Sequence, residues 1–230
     1  LNDERIALTA VREGAQDYLV KGQVDHHILA RTIRYAIERK RVGEELRLSL
    51  EKLRRSLEKT ISAMSLMVEI RDPYTAGHQR QVTKLAEAVG REMGLDKEQL
   101  DGVRLAAEVH DLGKISIPAE ILSKPGALTQ IEFNIIQTHP KVGYDILKSI
   151  EFPWPIDRIV LQHHERINGS GYPEGLTGSE ILLEAKILSV ADVVEAMSSH
   201  RPYRPALGIE TALNEILLHR GTLYDADVVD

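Results

Sequence analysis

Histidine and aspartate stand side by side at His110-Asp111, inside the run His110-Asp111-Leu112-Gly113-Lys114. An imidazole and a carboxylate on adjacent residues can bind one metal together, and the carboxylate's second oxygen can reach another. The pair lies between His78 and His139 and upstream of His163-His164 and Asp192. Five of the nine histidines thus fall into one ligand set with two aspartates. All are hard or borderline donors suited to divalent ions such as iron or manganese. Taken singly, each histidine is better read as a surface or core residue. That reading is strained when it must cover all seven residues together.

A second run, His163-His164-Glu165-Arg166-Ile167-Asn168-Gly169-Ser170-Gly171-Tyr172-Pro173, follows downstream. With Asp72-Pro73-Tyr74-Thr75-Ala76-Gly77-His78, Val190-Ala191-Asp192 and Arg201-Pro202-Tyr203-Arg204, these motifs resemble the HD-GYP group of metal-dependent phosphohydrolases. The resemblance runs from about residue 59 to the C-terminus, with five motifs in the family's order. It implies an all-α fold, an HD-superfamily helical bundle. It also implies hydrolysis of cyclic dinucleotides, chiefly cyclic di-GMP, to linear pGpG or onward to GMP. Phosphodiester hydrolysis needs a strong nucleophile and neutralisation of the anionic phosphate, and a two-metal site supplies both.

By the same resemblance Asp111 bridges two ions, His110 and Asp192 hold one with His78, and His139, His163 and His164 hold the other. Adjacent helical residues point about 100° apart, so His163 and His164 reach one ion only near a helix end. Gly169 soon afterwards fits such an end. Tyr74 stands where some family members carry a carboxylate that helps hold a third metal, so two ions are expected rather than three. In a continuing helix Lys114 would share the face of His110, where its ammonium could contact a phosphate oxygen or assist the leaving group. Tyr172 either stacks on a guanine or packs. Gly171 is expected to take a backbone geometry closed to other residues. Arg201 and Arg204 either grip the ligand's phosphates or guanine edges or cap the helix after Asp192.

Composition narrows the class further. Hydrophobic residues make up 43% of the 230, normal for a globular core. With no cysteine, disulfides and thiolate metal sites are excluded, and His and carboxylates are the strong ligands left. A reducing cytoplasm fits this usage. The net charge of −6 argues against coating a nucleic-acid polymer, though bound cations would still admit a small phosphorylated ligand. No stretch approaches the roughly 20 apolar residues that span a bilayer, so no membrane partner is expected.

The elements that must position these residues read as helices. Candidates are 75–93, 97–110, 131–138, 140–149, 156–163, 183–199 and 209–219, separated by Gly and Pro punctuation. The Gly-rich stretch 168–178 is expected as a surface loop beside the site. From Asp25 to about Arg71 the pattern is one long helix, in which Leu46, Leu50, Leu53, Leu57, Thr60, Met64 and Met67 step by four and three. That heptad seam predicts a parallel homodimer. Residues 1–24, which lack an initiator Met, carry a short helical pattern and then Ala15-Gln16-Asp17-Tyr18-Leu19-Val20-Lys21. This resembles the final strand and phosphate-sensing Lys of a response-regulator receiver domain, with Gly22 where that family has Pro.

The expected organisation is therefore a receiver fragment at 1–24, a linker helix at 25–58 and a hydrolase domain at 59–230. It would be the output of a two-component system with an upstream receiver and a cognate histidine kinase. A catalytically weak receptor or interaction scaffold, and an enzyme acting on a different nucleotide, are the alternatives.

Overall fold

The computed structural model describes residues 9–15, 19, 25–71, 77–199 and 206–230. Among these, helices form and no strand does, apart from isolated bridges at Asn168–Thr177 and Arg220–Tyr224. The all-α reading therefore holds. Of the expected receiver fragment, residues 9–12 are helical, while the strand and turn at 17–22 lie almost wholly outside the described residues. The chain divides into two compact units, 1–59 and 60–230.

Helix α1 (His26–Arg71) is 46 residues long. In the first unit it is stabilised along its own surface by ion pairs at helical spacing, including Arg47–Glu44 at 2.6 Å, Arg41–Glu38 at 3.2 Å and Arg54–Glu58 at 3.4 Å. Such exposed pairs are screened by solvent and contribute little individually. Leu46, Leu50, Leu53 and Leu57 remain 56–59% exposed, an apolar stripe on a charged helix. The seam divides after Lys59. Ile61 and Met64 pack onto the core of the second unit and Val68 is 2% exposed, so this end of the helix is covered by its own domain, although Met67 stays outside.

In the second unit, α2 (His78–Glu92) and α3 (Lys97–Val109) pack on each other and on α8 (Leu183–Ser198). Helix α8 is the central element. Ala185, Ile187, Leu188, Val190, Ala191 and Val194 are all buried, as expected of a helix apolar around most of its surface. Its polar residues therefore need partners: Lys186 pairs with Asp225 at 2.9 Å, while Asp192 and Glu195 face the site described below. The short helices α4 (Ala119–Leu122) and α5 (Gln130–Ile136) lead into α6 (His139–Leu147), which packs against α7 (Ile156–Gln162). Helices α9 (Ile209–Leu218) and α10 (Ala226–Val229) close on α8. Capping boxes at Asp96/Gln99 and Thr129/Glu132 start α3 and α5 by pairing orphan N–H groups.

Two boundaries differ from the sequence pattern. Helix α2 begins at His78 rather than 75, because Gly77 sits at φ 81, which no helical residue adopts. The helix through His110 also does not continue to Lys114. Helix α3 stops at Val109 and a 3₁₀ turn runs from Leu112 to Ser116. That turn presses against the start of α6 so closely that a Cβ on Gly113 would lie 1.9 Å from the His139 carbonyl oxygen and 2.6 Å from Gly143 N. Gly113→Ala is therefore expected to force backbone apart and destabilise the domain by about 3 kcal/mol or more. A thermal melt matching that of the unsubstituted protein would overturn this.

Candidate metal centre

Two of the predicted ligands cap helix C-termini, His110 on α3 and His163 on α7, while His139 is the first residue of α6, three residues past the last residue of α5. The last carbonyls of a helix lack intrahelical partners. Each of these histidines meets one, three residues back, through Nδ1: His110 to Ala107 O at 2.8 Å, His139 to Ile136 O at 2.8 Å, and His163 to Val160 O at 2.6 Å. A carbonyl only accepts, so Nδ1 carries the proton and Nε2 presents a lone pair. His110, His139 and His163 are each no more than 1% exposed.

These lone pairs converge. His139 Nε2 and His163 Nε2 lie 3.3 Å apart, acceptor facing acceptor. His110 Nε2 is buried without a hydrogen-bond partner. A metal cation satisfies both arrangements at once, so the donor set fits a metal. The rings of His78, His110 and His163 follow one another at 5.5 and 5.2 Å between centroids, and His163, His139 and His164 form a triangle with sides of 4.1–5.2 Å. Ligand atoms gather in the groups His78/His110/Asp192, His139/His163/His164 and His110/Asp111/His163, within 4.8 Å inside each group.

Asp111 lies between the two sides. Its Oδ2 is 3.5 Å from His110 Nε2 and its Oδ1 is 3.5 Å from His139 Nε2, one oxygen toward each half. Lys114, carried back by the 3₁₀ turn, donates to Asp111 Oδ2 at 2.6 Å. The geometry thus corrects the expectation of a helical Lys114 sharing the His110 face: its ammonium is engaged by the carboxylate. His78, at the start of α2, is held between two acids of α8, with Nε2 3.1 Å from Asp192 Oδ1 and Nδ1 against Glu195 Oε2.

The electrostatics follow from burial against charge. Burial drives the His139 pKa down to about 4 and that of His163 to about 3, and His164 also falls well below the usual imidazole value. At His78 burial acts the same way, but hydrogen bonds to Asp192 and Glu195 and the field of Asp192 and Asp111 outweigh it, lifting the pKa to about 9. Burial would raise Asp111 and Asp192, yet Lys114 and His110 hold the first, and His78 the second, well below the carboxylate range.

The Gly-rich loop folds back over this cluster. Tyr172 lies against His164, ring centroids 4.8 Å apart at 31°, so it packs on a predicted ligand. Gly171 is required by proximity: a Cβ there would fall 2.4 Å from Arg166 N and from Glu165 Cα. The loop's glycines with positive φ are Gly169 and Gly175, at φ 80 and 67. Buried Glu165 anchors the loop by accepting from the backbone N–H groups of Glu174, Gly175 and Leu176 at 2.7–3.1 Å. Arg201, Arg204 and Tyr74 lie outside the described residues.

Sequence reasoning missed Glu165 and Glu195. The signal for Glu195 was available, since an acid three residues after Asp192 in an otherwise apolar helix must have a buried partner. Glu165 carried no comparable signal, because its partners are backbone groups of a loop.

The family described as an HD domain matches residues 62–228. A Xanthomonas campestris protein named as a cyclic di-GMP phosphodiesterase response regulator is 36% identical over all of this chain and 64% of its own length. A cyclic di-GMP phosphodiesterase of Thermotoga maritima is 36% identical over the whole chain and 67% of its own length. The chain thus spans about two thirds of these relatives. A solved Bdellovibrio bacteriovorus structure, described as an HDG"Y"P protein, aligns with TM-score 0.55 at 19% identity over 66% of this chain and 49% of that one, which speaks to the fold alone.

The histidine environments predict a peaked pH profile for the metal-stripped protein. His139 and His163, kept neutral by the fold, stabilise it fully above the ordinary imidazole pKa near 6.5, and that stability is lost as pH falls toward 4 and 3. His78 acts oppositely: its contribution is complete below 6.5 and is lost as pH rises through about 9. Thermal melts in chelator should therefore peak near neutrality, with the steeper fall on the acid side. A flat profile from pH 5 to 9 would contradict this account.

Proposed function

Because this chain belongs to the HD domain family, we propose that it is the metal-dependent phosphodiesterase part of a signalling protein, hydrolysing cyclic di-GMP to linear pGpG or GMP. The observation that carries the reading is Asp111, with one oxygen toward the His78/His110/Asp192 side and the other toward the His139/His163/His164 side. The names of the two relatives support the substrate class. Two divalent cations, iron or manganese, would supply an activated water and neutralise phosphate charge. Asp111 would be shared between them, and the His78/His110/Asp192 and His139/His163/His164 groups would hold one each.

The chain's own residues do the rest. Lys114 holds Asp111 from one side and leaves its ammonium next to the position where phosphate charge would collect. Tyr172 and the loop anchored by Glu165 cover His164 and form a wall for the nucleotide. Arg201 and Arg204 grip phosphate or guanine edges. Water adds across one P–O bond: phosphorus gains the oxygen, the departing ribose 3′ oxygen takes a proton, and the ring opens to a linear dinucleotide.

Residues 59–230 are the hydrolase domain, 25–58 a linker helix and 1–24 the end of a receiver domain that a histidine kinase would address in the cytoplasm. The exposed leucines at 46, 50, 53 and 57 meet a second copy in a parallel homodimer. In that heptad Arg47 and Arg54 both flank the seam on the same side, where antiparallel pairing would set arginine against arginine.

Asp111→Ala should abolish binding of both ions and lower turnover at least about 100-fold while leaving helical circular dichroism intact. The assay is metal analysis beside chromatography of cyclic di-GMP after incubation with iron- or manganese-loaded protein under reducing conditions. Two retained ions with full turnover would overturn the assignment. Intact nucleotide with wild-type protein, despite tight binding, would favour a receptor.

Replacing Leu50 and Leu53 with Lys should convert the dimer to monomer, since charges buried in the seam cost about 3–5 kcal/mol. A wild-type monomer in equilibrium sedimentation at high concentration would contradict the pairing.

A further inference from the structure

We infer that Glu195 is a positioning residue that makes the two halves of the centre unequal, by orienting His78 and adding an acid on that side alone. The inference rests on the two-ion reading above. His110, His139 and His163 each direct Nδ1 at a backbone carbonyl of their own chain segment. His78 differs, because its Nδ1 meets the Glu195 carboxylate from another helix. Nε2 of the same ring points toward Asp192 Oδ1, 3.1 Å away. Asp192 and Glu195 are three residues apart on α8 and so share a face. Glu195 is 8% exposed, and its other oxygen accepts from Ser199 Oγ at 2.7 Å, which limits its rotation.

A carboxylate behind a ligating imidazole fixes the tautomer, fixes the ring and makes the far nitrogen a stronger donor. A neutral carbonyl does the first two and less of the third. The His78/His110/Asp192 half therefore has Asp192, Glu195 and the Asp111 oxygen that also holds the Lys114 ammonium, which leaves one carboxylate charge in excess there. The other half has three imidazoles and a share of Asp111. A cation on the first side sits in the more negative field, so the two positions should fill in order, the His78 side first.

Titration of Mn²⁺ into chelator-stripped protein, in competition with a chromophoric chelator, reads both affinities without recourse to turnover. The wild type is expected to take two ions in separable steps. Glu195→Gln, nearly isosteric, should weaken the tighter step about 10- to 100-fold and leave the weaker one in place. Glu195→Asp keeps the charge but withdraws it from His78, and should fall between the two. If Glu195→Gln does not fold, as judged by circular dichroism, the Asp variant carries the same comparison. A folded variant with both steps unmoved overturns the inference and leaves the two-ion reading standing. Equal weakening of both steps also overturns it, since Glu195 would then serve the scaffold as a whole. A wild-type protein that takes fewer than two ions overturns the two-ion reading itself.

Discussion

Three hydrogen bonds from imidazole Nδ1 to the carbonyl three residues back hold this centre together. Each joins a helix end that needs a donor to a ring whose tautomer needs setting. One contact therefore does two jobs: it completes the last turn of α3, α5 or α7 and aims an Nε2 lone pair inward. Moving any of the three helix ends by a residue would turn its ring by about 100° and break the convergence. Close packing of the 3₁₀ turn against α6, possible because residue 113 lacks a side chain, fixes Asp111 relative to His139.

Burying this many ionisable groups is costly unless they neutralise one another. Lys114 answers Asp111, and His78 answers Asp192 and Glu195. His139, His163 and His164 stay uncharged because burial pushes their pKa values down. The cluster is thus divided into a charged part around α2 and α8 and a neutral part around α6 and α7. Helix α8, apolar on most of its surface, forms the wall of the charged part and the middle of the core at once.

Much of this was legible in the sequence. Gly and Pro punctuation marked α3, α6, α7, α8 and α9 to within a residue or two. The seven ligand candidates, read as a set, do come within reach of one another. What escaped has a common cause, namely that it depends on contacts between distant segments. The 3₁₀ turn at Leu112–Ser116 exists because α6 leaves no room for a continuing helix, and Lys114 consequently changes partner. Glu165 binds amides nine to eleven residues away in a loop without periodicity. The leucine seam looks uniform from residue 46 to 67, yet whether a position is covered depends on which part of the chain lies alongside.

The Lys114–Asp111 contact has a consequence for the life of the protein in a changing ionic supply. An ammonium already occupies one corner of the central carboxylate, so the cage keeps its shape through internal counterions. A divalent ion would then enter a scaffold that internal counterions already hold in shape, and with nitrogen and oxygen donors alone its identity would follow supply more than ligand softness.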